Sequence, residues 1–530
     1  MFDTLMMSYS RLRQTKSATD RSSITLIFTI VIFTTIPVIP HLFDDLSTPD
    51  ESMLLVYPSR ILAGQWPNRD FFNAAYGPGQ FWLLAGAYRV FGASVITERL
   101  IGWLLHLAIA LGVVRILRFR SSFVAGAAGC ASGLILALLG LPAYAWLSAL
   151  SLIIWSISIM MSKRTNRNSF VAGFMVALVF AIRPDLGPAA IVCQLPLLWR
   201  GQFKFSWLMG MALGAIPMLI HLAVAGPEFI KNFSVVLRAS RAGMLVPPNV
   251  PIALRVTVIF LAACVFGLLW TGVRERDSRL IGVALLSSML LPQALQRTDL
   301  THIADAGCFI WPMWFAIVFS RSAFARGVIQ RYGFEWLRKC LSVAAVVFMG
   351  ATLAMVGSSW RSTVWLRHLD KSLPMNEATT LRETEALIAA TNRHVRPGGR
   401  IFVGAVDMSV LNYSPMYLYF FLAEYHPAGY YLELPGSFDH VGKALSKEIR
   451  AADALLLSDT PELQRSLYRV GWRESSDAND AVAKYFCSAG KYGNISLYIR
   501  CGVGGNPDIN FLAAVDRLNI RGTGPEVLPH

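Results

Sequence analysis

Long apolar runs alternate with short polar stretches over the first two thirds of this 530-residue chain. A helix that crosses a bilayer needs about 20 mainly apolar residues, and most of the runs come close to this length. We therefore predict about eleven transmembrane helices, over residues 24–40, 99–117, 122–140, 143–161, 169–183, 187–200, 206–224, 252–271, 280–296, 307–320 and 339–357.

The apolar segment Gly79–Phe91 does not fit this series. It is too short to cross a bilayer, and it carries Trp82, Tyr88 and Arg89. Amphipathic aromatic and basic side chains suit the boundary between lipid and water. We expect a helix that lies in the interface.

The pattern changes after residue 357, where helix-like and strand-like spacings alternate as in a small α/β domain. Helices are predicted over residues 378–395, 443–452 and 461–471, and strands over 400–406, 453–459 and 494–501. An aromatic segment at 413–431 is expected to pack or to recognise a sugar acceptor. The predicted organisation is a membrane domain (1–357), an α/β domain (358–505) and a disordered tail (506–530).

Composition agrees with a division between lipid and water. Only 15% of the residues are charged, against about 25% in an average soluble chain. The net charge of +15 does not indicate nucleic acid, because the basic residues lie in short clusters between the apolar runs. We expect a membrane lipid partner and no nucleic acid.

The basic clusters also predict the orientation. Loops on the side of the N-terminus contain 20 Lys and Arg among 71 residues, and the opposite loops contain 8 among 103. Cytoplasmic loops carry this excess. We predict a multi-pass protein of the inner (plasma) membrane with a cytoplasmic N-terminus and an extracytoplasmic C-terminal domain.

Of the seven cysteines, none forms a CxxC motif or a Cys/His cluster, and no HExxH or Walker A motif is present. No metal site is predicted, although the need for a divalent metal stays open. Cys487 and Cys501 bracket a segment with glycine turn signals. A hairpin there would bring them within disulfide distance, and an oxidising compartment would favour the bond.

The first outer loop, residues 42–98, holds an unusual set of polar groups among aromatic residues. A solvated loop would explain carboxylates alone, but the aromatics and the tight turn of Gly77-Pro78-Gly79 indicate an ordered surface. The segment 51–64 is predicted to be an amphipathic helix that ends at Gly64. The candidate side chains are Asp44, Asp45, Asp50, Glu51, Asp70 and Tyr76.

The order of this loop is an acidic pair, a short helix, AGQWPNRDFF, YGPG, an interfacial helix, FG and then ERL. It resembles the GT-C superfamily of glycosyltransferases that use polyprenyl-phosphate sugars, near bacterial protein O-mannosyltransferases and lipid A aminoarabinose transferases. The resemblance covers residues 24–320. It implies a polytopic helical fold and a catalytic carboxylate in this loop, which falls on Asp50 with Glu51 beside it. The pair Asp44–Asp45 keeps that assignment open.

Ionisable side chains at the ends of other spans are further candidates. Charged groups at this depth are costly and often mark function, although an Arg–Asp pair that fixes a helix end is an equal alternative at Arg183. The candidates are Arg183 with Asp185, Arg297 with Asp299 and His302, and the basic strip of Arg238 and Arg241.

Transfer from a polyprenyl phosphate requires a base near the attacking hydroxyl and cations near the departing phosphate. We predict Asp50 as the base with Glu51 assisting, and Arg297, His302 and Arg183 around the phosphate. The acceptor would be a glycan, lipid or protein of the cell envelope. A transporter or flippase, or a non-catalytic envelope-assembly protein, is the alternative.

Overall fold

The computed structural model describes residues 26–46, 49–73, 76–119, 122–161, 165–198, 204–242, 251–296, 300–321, 363–375, 377–408, 414–432, 441–459, 476–502 and 511. The chain is divided into two compact units. The helical unit comprises Met1–Leu42, Arg99–Leu219 and Met244–Arg361. The mixed unit comprises Phe43–Glu98, Ile220–Gly243 and Ser362–His530.

Helices account for most of the described residues before position 322. They are α1 (Leu26–Val38), α2 (Pro49–Leu62), α3 (Gly79–Phe91), α4 (Val95–Leu117), α5 (Ser122–Ala137), α6 (Ala145–Met161), α7 (Asn166–Ile182), α8 (Gly187–Val192), α9 (Leu195–Leu198), α10 (Lys204–Ala225), α11 (Pro227–Ala242), α12 (Ile252–Arg274), α13 (Ser278–Gln296) and α14 (Leu300–Arg321). Short 3-10 turns lie at Pro40–Leu42 and Pro184–Leu186.

Within the described part of the chain, four helices are long and apolar enough to cross a membrane: α4, α10, α12 and α13. Shorter apolar helices occupy α1, α5, α6, α7 and α14. These nine elements coincide with nine predicted spans. The prediction of one span over 187–200 is wrong, because a turn at Cys193–Gln194 separates α8 from α9. The span predicted at 339–357 lies outside the described residues.

Glycine permits close helix packing in the helical unit. A Cβ added at Gly173 on α7 would collide with the carbonyl of Trp207, and one at Gly210 on α10 would collide with the carbonyl of Phe170. Apolar side chains gain little by leaving lipid, so small residues that let backbones approach are a main means of helix association in membranes. Residues of this kind hold α7 against α10.

A five-stranded sheet forms part of the mixed unit. The C-terminal elements are β1 (Val364–His368), β2 (Lys371–Met375), α15 (Ala378–His394), β3 (Arg400–Ala405), α16 (Tyr417–Phe421), β4 (His426–Pro427), α17 (Val441–Ala451), β5 (Ala454–Ser458), α18 (Asp477–Tyr485), β6 (Phe486–Tyr492) and β7 (Ile495–Arg500). The sheet order is β4-β3-β5-β7-β6, with β4, β3 and β5 parallel and the remaining pairs antiparallel.

Strands β3, β5 and β7 lie where strands were predicted from the sequence. β3 and β5 are almost wholly buried, which explains their continuous apolar sequence. Helices α15 and α17 also confirm their predictions, and the helix predicted at 461–471 lies outside the described residues. β1 and β2 form a separate antiparallel hairpin.

The sheet shares its core with the first outer loop. Phe72 is buried in the same apolar cluster as Phe402 and Leu455, and its backbone N–H donates to the carbonyl of Tyr430 at 2.8 Å. Phe511 is also buried in that cluster, so this position of the predicted disordered tail is packed. The predicted boundary at residue 357 did not anticipate a core drawn from both sides of it.

The sequence predicted one of the two helices in the outer loop, α3, more accurately than the other, α2. α2 is buried continuously from Glu51 to Pro58, so the prediction of an amphipathic helix is wrong. It ends near Gly64, as predicted, where φ is +83°. The 13-residue α3 exposes Leu83, Val90 and Phe91, an apolar side that agrees with an interfacial helix.

The hairpin of β6 and β7 confirms the predicted pairing of Cys487 with Cys501. The two residues form a disulfide, with their Cα atoms 5.1 Å apart. The turn uses Gly493 at a φ of +59°, a left-handed conformation that glycine adopts without strain.

Candidate functional site

The candidate carboxylates Asp50 and Glu51 occupy the first turn of α2. Asp50 is half-buried and Glu51 is fully buried. A helix N-terminus favours negative charge, because its backbone N–H groups and dipole point toward the anion. Asp44 and Asp45 lie half-buried in the short segment before α2. The role of these carboxylates and the choice of base stay predictions.

Asp70 stabilises the turn that follows α2 through hydrogen bonds. Its Oδ2 accepts a hydrogen bond from the backbone N–H of Trp66 at 2.6 Å, and both oxygens accept from the guanidinium of Arg69 at 2.6–3.0 Å. The bond from Arg69 is the main cause that lowers the pKa of Asp70. Asp70 is thus an ionised group with local partners.

Tyr76 helps to close the same loop. Its carbonyl accepts a hydrogen bond from the side-chain amide of Asn73 at 2.7 Å, and its half-buried ring lies edge-on to Phe81. The contacts of Tyr76 with residues of its own loop indicate that it orders the segment before α3.

A buried hydrogen-bond network connects this turn to the end of α10. The indole N–H of Trp66 donates to Nδ1 of His221 at 3.0 Å, and Nε2 of His221 lies 3.2 Å from Oδ1 of Asn68. Because Nδ1 accepts, the neutral ring carries its proton on Nε2 and donates it to Asn68. Asn68 adopts a φ of +62°, which asparagine tolerates better than most residues.

The network continues to Tyr430 of the C-terminal segment. The Tyr430 hydroxyl donates to the backbone carbonyl of Asn68 at 2.9 Å and accepts from the side-chain amide of Asn232 on α11 at 2.9 Å. The sequence analysis singled out neither His221 nor Asn232. No local pattern marks them, since their partners are 153 to 198 residues away.

In the helical unit, Arg183 and Asp185 form the pair that their spacing suggested. Nε and one terminal nitrogen of Arg183 donate to the two carboxylate oxygens of Asp185 at 2.7–2.8 Å. Gln293 on α13 donates to the same carboxylate at 3.0 Å. This geometry favours the structural alternative, in which the pair fixes the end of α7 against α13.

The remaining candidates are placed only in part. His302 lies half-buried on α14, with the buried Asp305 one turn further along. Arg238 and Arg241 lie on α11, and their side chains are outside the described set, as are Arg297 and Asp299. The expected proximity of Asp50 to Arg297 or His302 stays a prediction.

Among the described residues, no group of three or more His, Cys, Asp or Glu side chains is arranged to hold a metal ion. The need for a divalent metal therefore stays open.

A cavity of about 360 Å³ lies beside the turn of Asp70. Asp70 was predicted as a site residue, and residues 426–430 lie in the aromatic segment expected to pack or to recognise a sugar acceptor. We call it the Arg60 cavity, and its walls are Arg60, Gln65, Asp70, Arg400, His426, Pro427, Ala428, Gly429 and Tyr430.

No protein-family model and no curated protein matches the sequence. Solved structures do match. ArnT from Cupriavidus metallidurans bound to undecaprenyl phosphate has a TM-score of 0.56 at 12% identity, covering 89% of this chain and 97% of that one. The apo state of the same protein has a TM-score of 0.53 at 11% identity, covering 90% and 98%.

At this identity the likeness concerns the fold. It extends over most of the length of both chains. The chain therefore shares the fold of ArnT. This fold and the apolar helices of the described residues indicate a multi-pass membrane protein.

Proposed function

We propose that this protein is a GT-C glycosyltransferase that transfers a sugar from a polyprenyl-phosphate donor to an envelope glycan, lipid or protein. The observation that supports the donor class is the shared fold with ArnT, whose crystal structure contains undecaprenyl phosphate. The shared fold covers 89% of this chain, which supports a lipid-linked donor of the same class.

Asp50 is the proposed base. It removes the proton of the acceptor hydroxyl as that oxygen bonds to the anomeric carbon, and the bond from this carbon to the phosphate oxygen breaks. Polyprenyl phosphate then leaves with the electron pair. The half-buried Asp50 side chain retains access to solvent that the fully buried Glu51 lacks. Glu51 accordingly assists from behind the reacting carboxylate.

Cations stabilise the departing phosphate. Arg297 and His302 are proposed for this role, with Arg183 held in a fixed orientation by Asp185. The basic strip of Arg238 and Arg241 is a further source of positive charge.

Transfer is proposed to occur on the extracytoplasmic face of the inner membrane. The distribution of Lys and Arg supports a cytoplasmic N-terminus. The disulfide of Cys487 and Cys501 supports an oxidising compartment for the mixed unit, so these two independent features agree.

The test compares Asp50→Asn with Asp477→Asn, which changes an aspartate in the first turn of α18. We expect Asp50→Asn to reduce sugar transfer by about 10²–10⁴-fold, the usual contribution of a general base. Asp477→Asn should retain activity. Mass spectrometry of lipids from a deletion strain should show an accumulated polyprenyl-phosphate sugar.

Two results would count against the proposal. Full transfer by Asp50→Asn would remove Asp50 as the base, and Glu51→Gln or Asp44→Asn would then be tested in its place. A deletion strain without any accumulated polyprenyl-linked sugar would contradict the donor class itself.

A further inference from the structure

The Arg60 cavity has the size and the construction of a binding site. Its volume of about 360 Å³ falls within the range of about 300–1,000 Å³ that is usual for small-molecule sites. Arg60 lies on α2, Asp70 on the turn after it, Arg400 at the start of β3, and His426 to Tyr430 on and after β4. One compact unit, the mixed unit, thus supplies all of its walls.

Arg60 is a half-buried cation that makes no ion pair with the described residues. The guanidinium lies 5.5 Å from the centre of the Phe71 ring, and Nε is buried without a hydrogen-bond partner among the described residues. Desolvation lowers the pKa of Arg60. Asp70 already accepts from Arg69 and Trp66, so its charge is largely neutralised.

Two further buried atoms near the cavity also lack hydrogen-bond partners among the described residues. They are Oε1 of Gln65 and Oε2 of Glu448. Glu448 contacts two residues that line the cavity. Its Oε1 accepts a hydrogen bond from the backbone N–H of Tyr430 at 3.0 Å, and its Oε2 lies close to Gly429. Unsatisfied buried polar groups are rare in native proteins and call for an explanation.

A second guanidinium and an imidazole line the other wall. The backbone N–H of Arg400 donates to Asp453 at 2.8 Å. Its side chain makes no ion pair within the described residues, and His426 is exposed beside it. Among the lining residues, two arginines therefore outnumber the one aspartate, which is already paired with Arg69.

Tyr430 supplies a rigid aromatic wall. Its hydroxyl is bonded to Asn68 on one side and to Asn232 on the other, so the ring orientation is set before any ligand binds. A preorganised aromatic surface suits the apolar face of a sugar ring.

We propose that the Arg60 cavity binds an anionic sugar group, a phosphate- or carboxylate-bearing monosaccharide unit, through Arg60 and Arg400. Arginine matches the oxygens of phosphate and carboxylate in a bidentate geometry, and Gln65 bonds a sugar hydroxyl. The identification of this group as part of the transferase acceptor rests on the proposed function. The binding itself does not.

Calorimetric titration of the purified full chain in neutral detergent tests the proposal, with glucose 1-phosphate as the anionic probe and glucose as its uncharged counterpart. We expect the protein to bind glucose 1-phosphate, and to bind glucose at least about ten-fold more weakly. In Arg60→Gln the affinity for glucose 1-phosphate should fall by about 10–100-fold. Arg400→Gln should weaken it less, because that side chain is more exposed. Arg393→Gln, at the exposed end of α15, is the matched control.

Equal binding of the two probes, no binding of either, or an unchanged affinity in both cavity variants would overturn the proposal. If Arg60→Gln fails to fold, Arg400→Gln and Arg60→Lys decide, since the lysine keeps the charge and should retain part of the affinity. Repeating the titration in nanodiscs with phosphatidylglycerol distinguishes a lipid headgroup from an acceptor sugar. Strong competition by the anionic lipid, absent in neutral nanodiscs, would assign the site to lipid and contradict the sugar.

The failure of this inference is distinguishable from that of the proposed function. Asp50→Asn should lose transfer and keep its affinity for glucose 1-phosphate. Arg60→Gln should keep donor binding and raise the KM for an anionic acceptor. A protein without transferase activity that still binds the probe through Arg60 would refute the enzyme and support the cavity.

Discussion

Two regions of the mixed unit both contain residues of the turn 65–70. They differ in whether their buried polar groups have hydrogen-bond partners. In the network of Trp66, His221 and Asn68, each nitrogen of the imidazole has a partner within 3.2 Å. In the Arg60 cavity, Nε of Arg60 and Oε1 of Gln65 are buried without partners among the described residues. Complete bonding indicates a structural role, whereas buried groups that are left over indicate a place for a ligand. Substitutions in the network should therefore lower the free energy of unfolding, whereas substitutions of buried polar groups at the cavity should raise it.

The largest effect is expected from the complete network. His221→Phe keeps the ring but leaves the indole N–H of Trp66 and the amide oxygen of Asn68 without partners. Each unmade buried bond costs about 1–3 kcal/mol, so we expect a loss of about 3 kcal/mol. Thermal unfolding in detergent measures it, with the exposed His394→Phe as control. An unchanged Tm would show that the network contributes little.

A smaller effect is expected at Arg183, where the pair with Asp185 is only partly buried. Arg183→Gln should destabilise by about 1–2 kcal/mol, since a bidentate charge-assisted pair is lost while Gln293 still reaches the carboxylate. Arg167→Gln, an exposed change on the same helix, should have no effect. Loss of transfer in Arg183→Lys with an unchanged Tm would instead support the phosphate-binding role.

The smallest effect, with the opposite sign, is expected at Glu448 behind the cavity. Burial raises its pKa from 4.5 to about 7. A carboxyl with a raised native pKa favours folding below its unfolded value and loses that contribution as the pH rises through about 7. Glu448→Gln should therefore stabilise the protein at pH 8 by about 1 kcal/mol, allowing for partial solvent screening.

At pH 5 the same variant should differ little from the parent protein. Glu385→Gln, on the exposed side of α15, provides the comparison for a solvated carboxylate. Destabilisation at pH 8 in Glu448→Gln would mean that the ionised carboxylate has a favourable partner in the folded protein.

Local patterns predicted the elements of the fold and its nearest pairs. Apolar run length located nine helices, and short continuous apolar runs located the buried strands β3 and β5. The two pairs Arg183–Asp185 and Cys487–Cys501 followed from spacing, because their members lie on one turn or one hairpin. The acidic first turn of α2 was visible for the same reason.

Properties that depend on distant neighbours were not predictable. α2 looked amphipathic, but Ser52 and Glu51 are buried along with its apolar residues, because segments from elsewhere in the chain surround it. Arg60 lies within the predicted helix 51–64, and no local pattern marks it, since its significance depends on a wall formed by Arg400 and residues 426–430. Tyr430 bonds to Asn68 across 362 residues, and a single sequence carries no sign of such a contact.

That contact has a consequence for biosynthesis. Ribosomes add about 5–20 residues per second, so Asn68 is made about 20–70 s before the tyrosine that caps its carbonyl. Throughout that interval Phe72 lacks the Phe402 and Leu455 side chains that bury it. The first outer loop therefore exposes apolar side chains until its packing partners in the C-terminal segment have been synthesised. Nascent chains that stop before residue 400 should present this loop to chaperones and proteases.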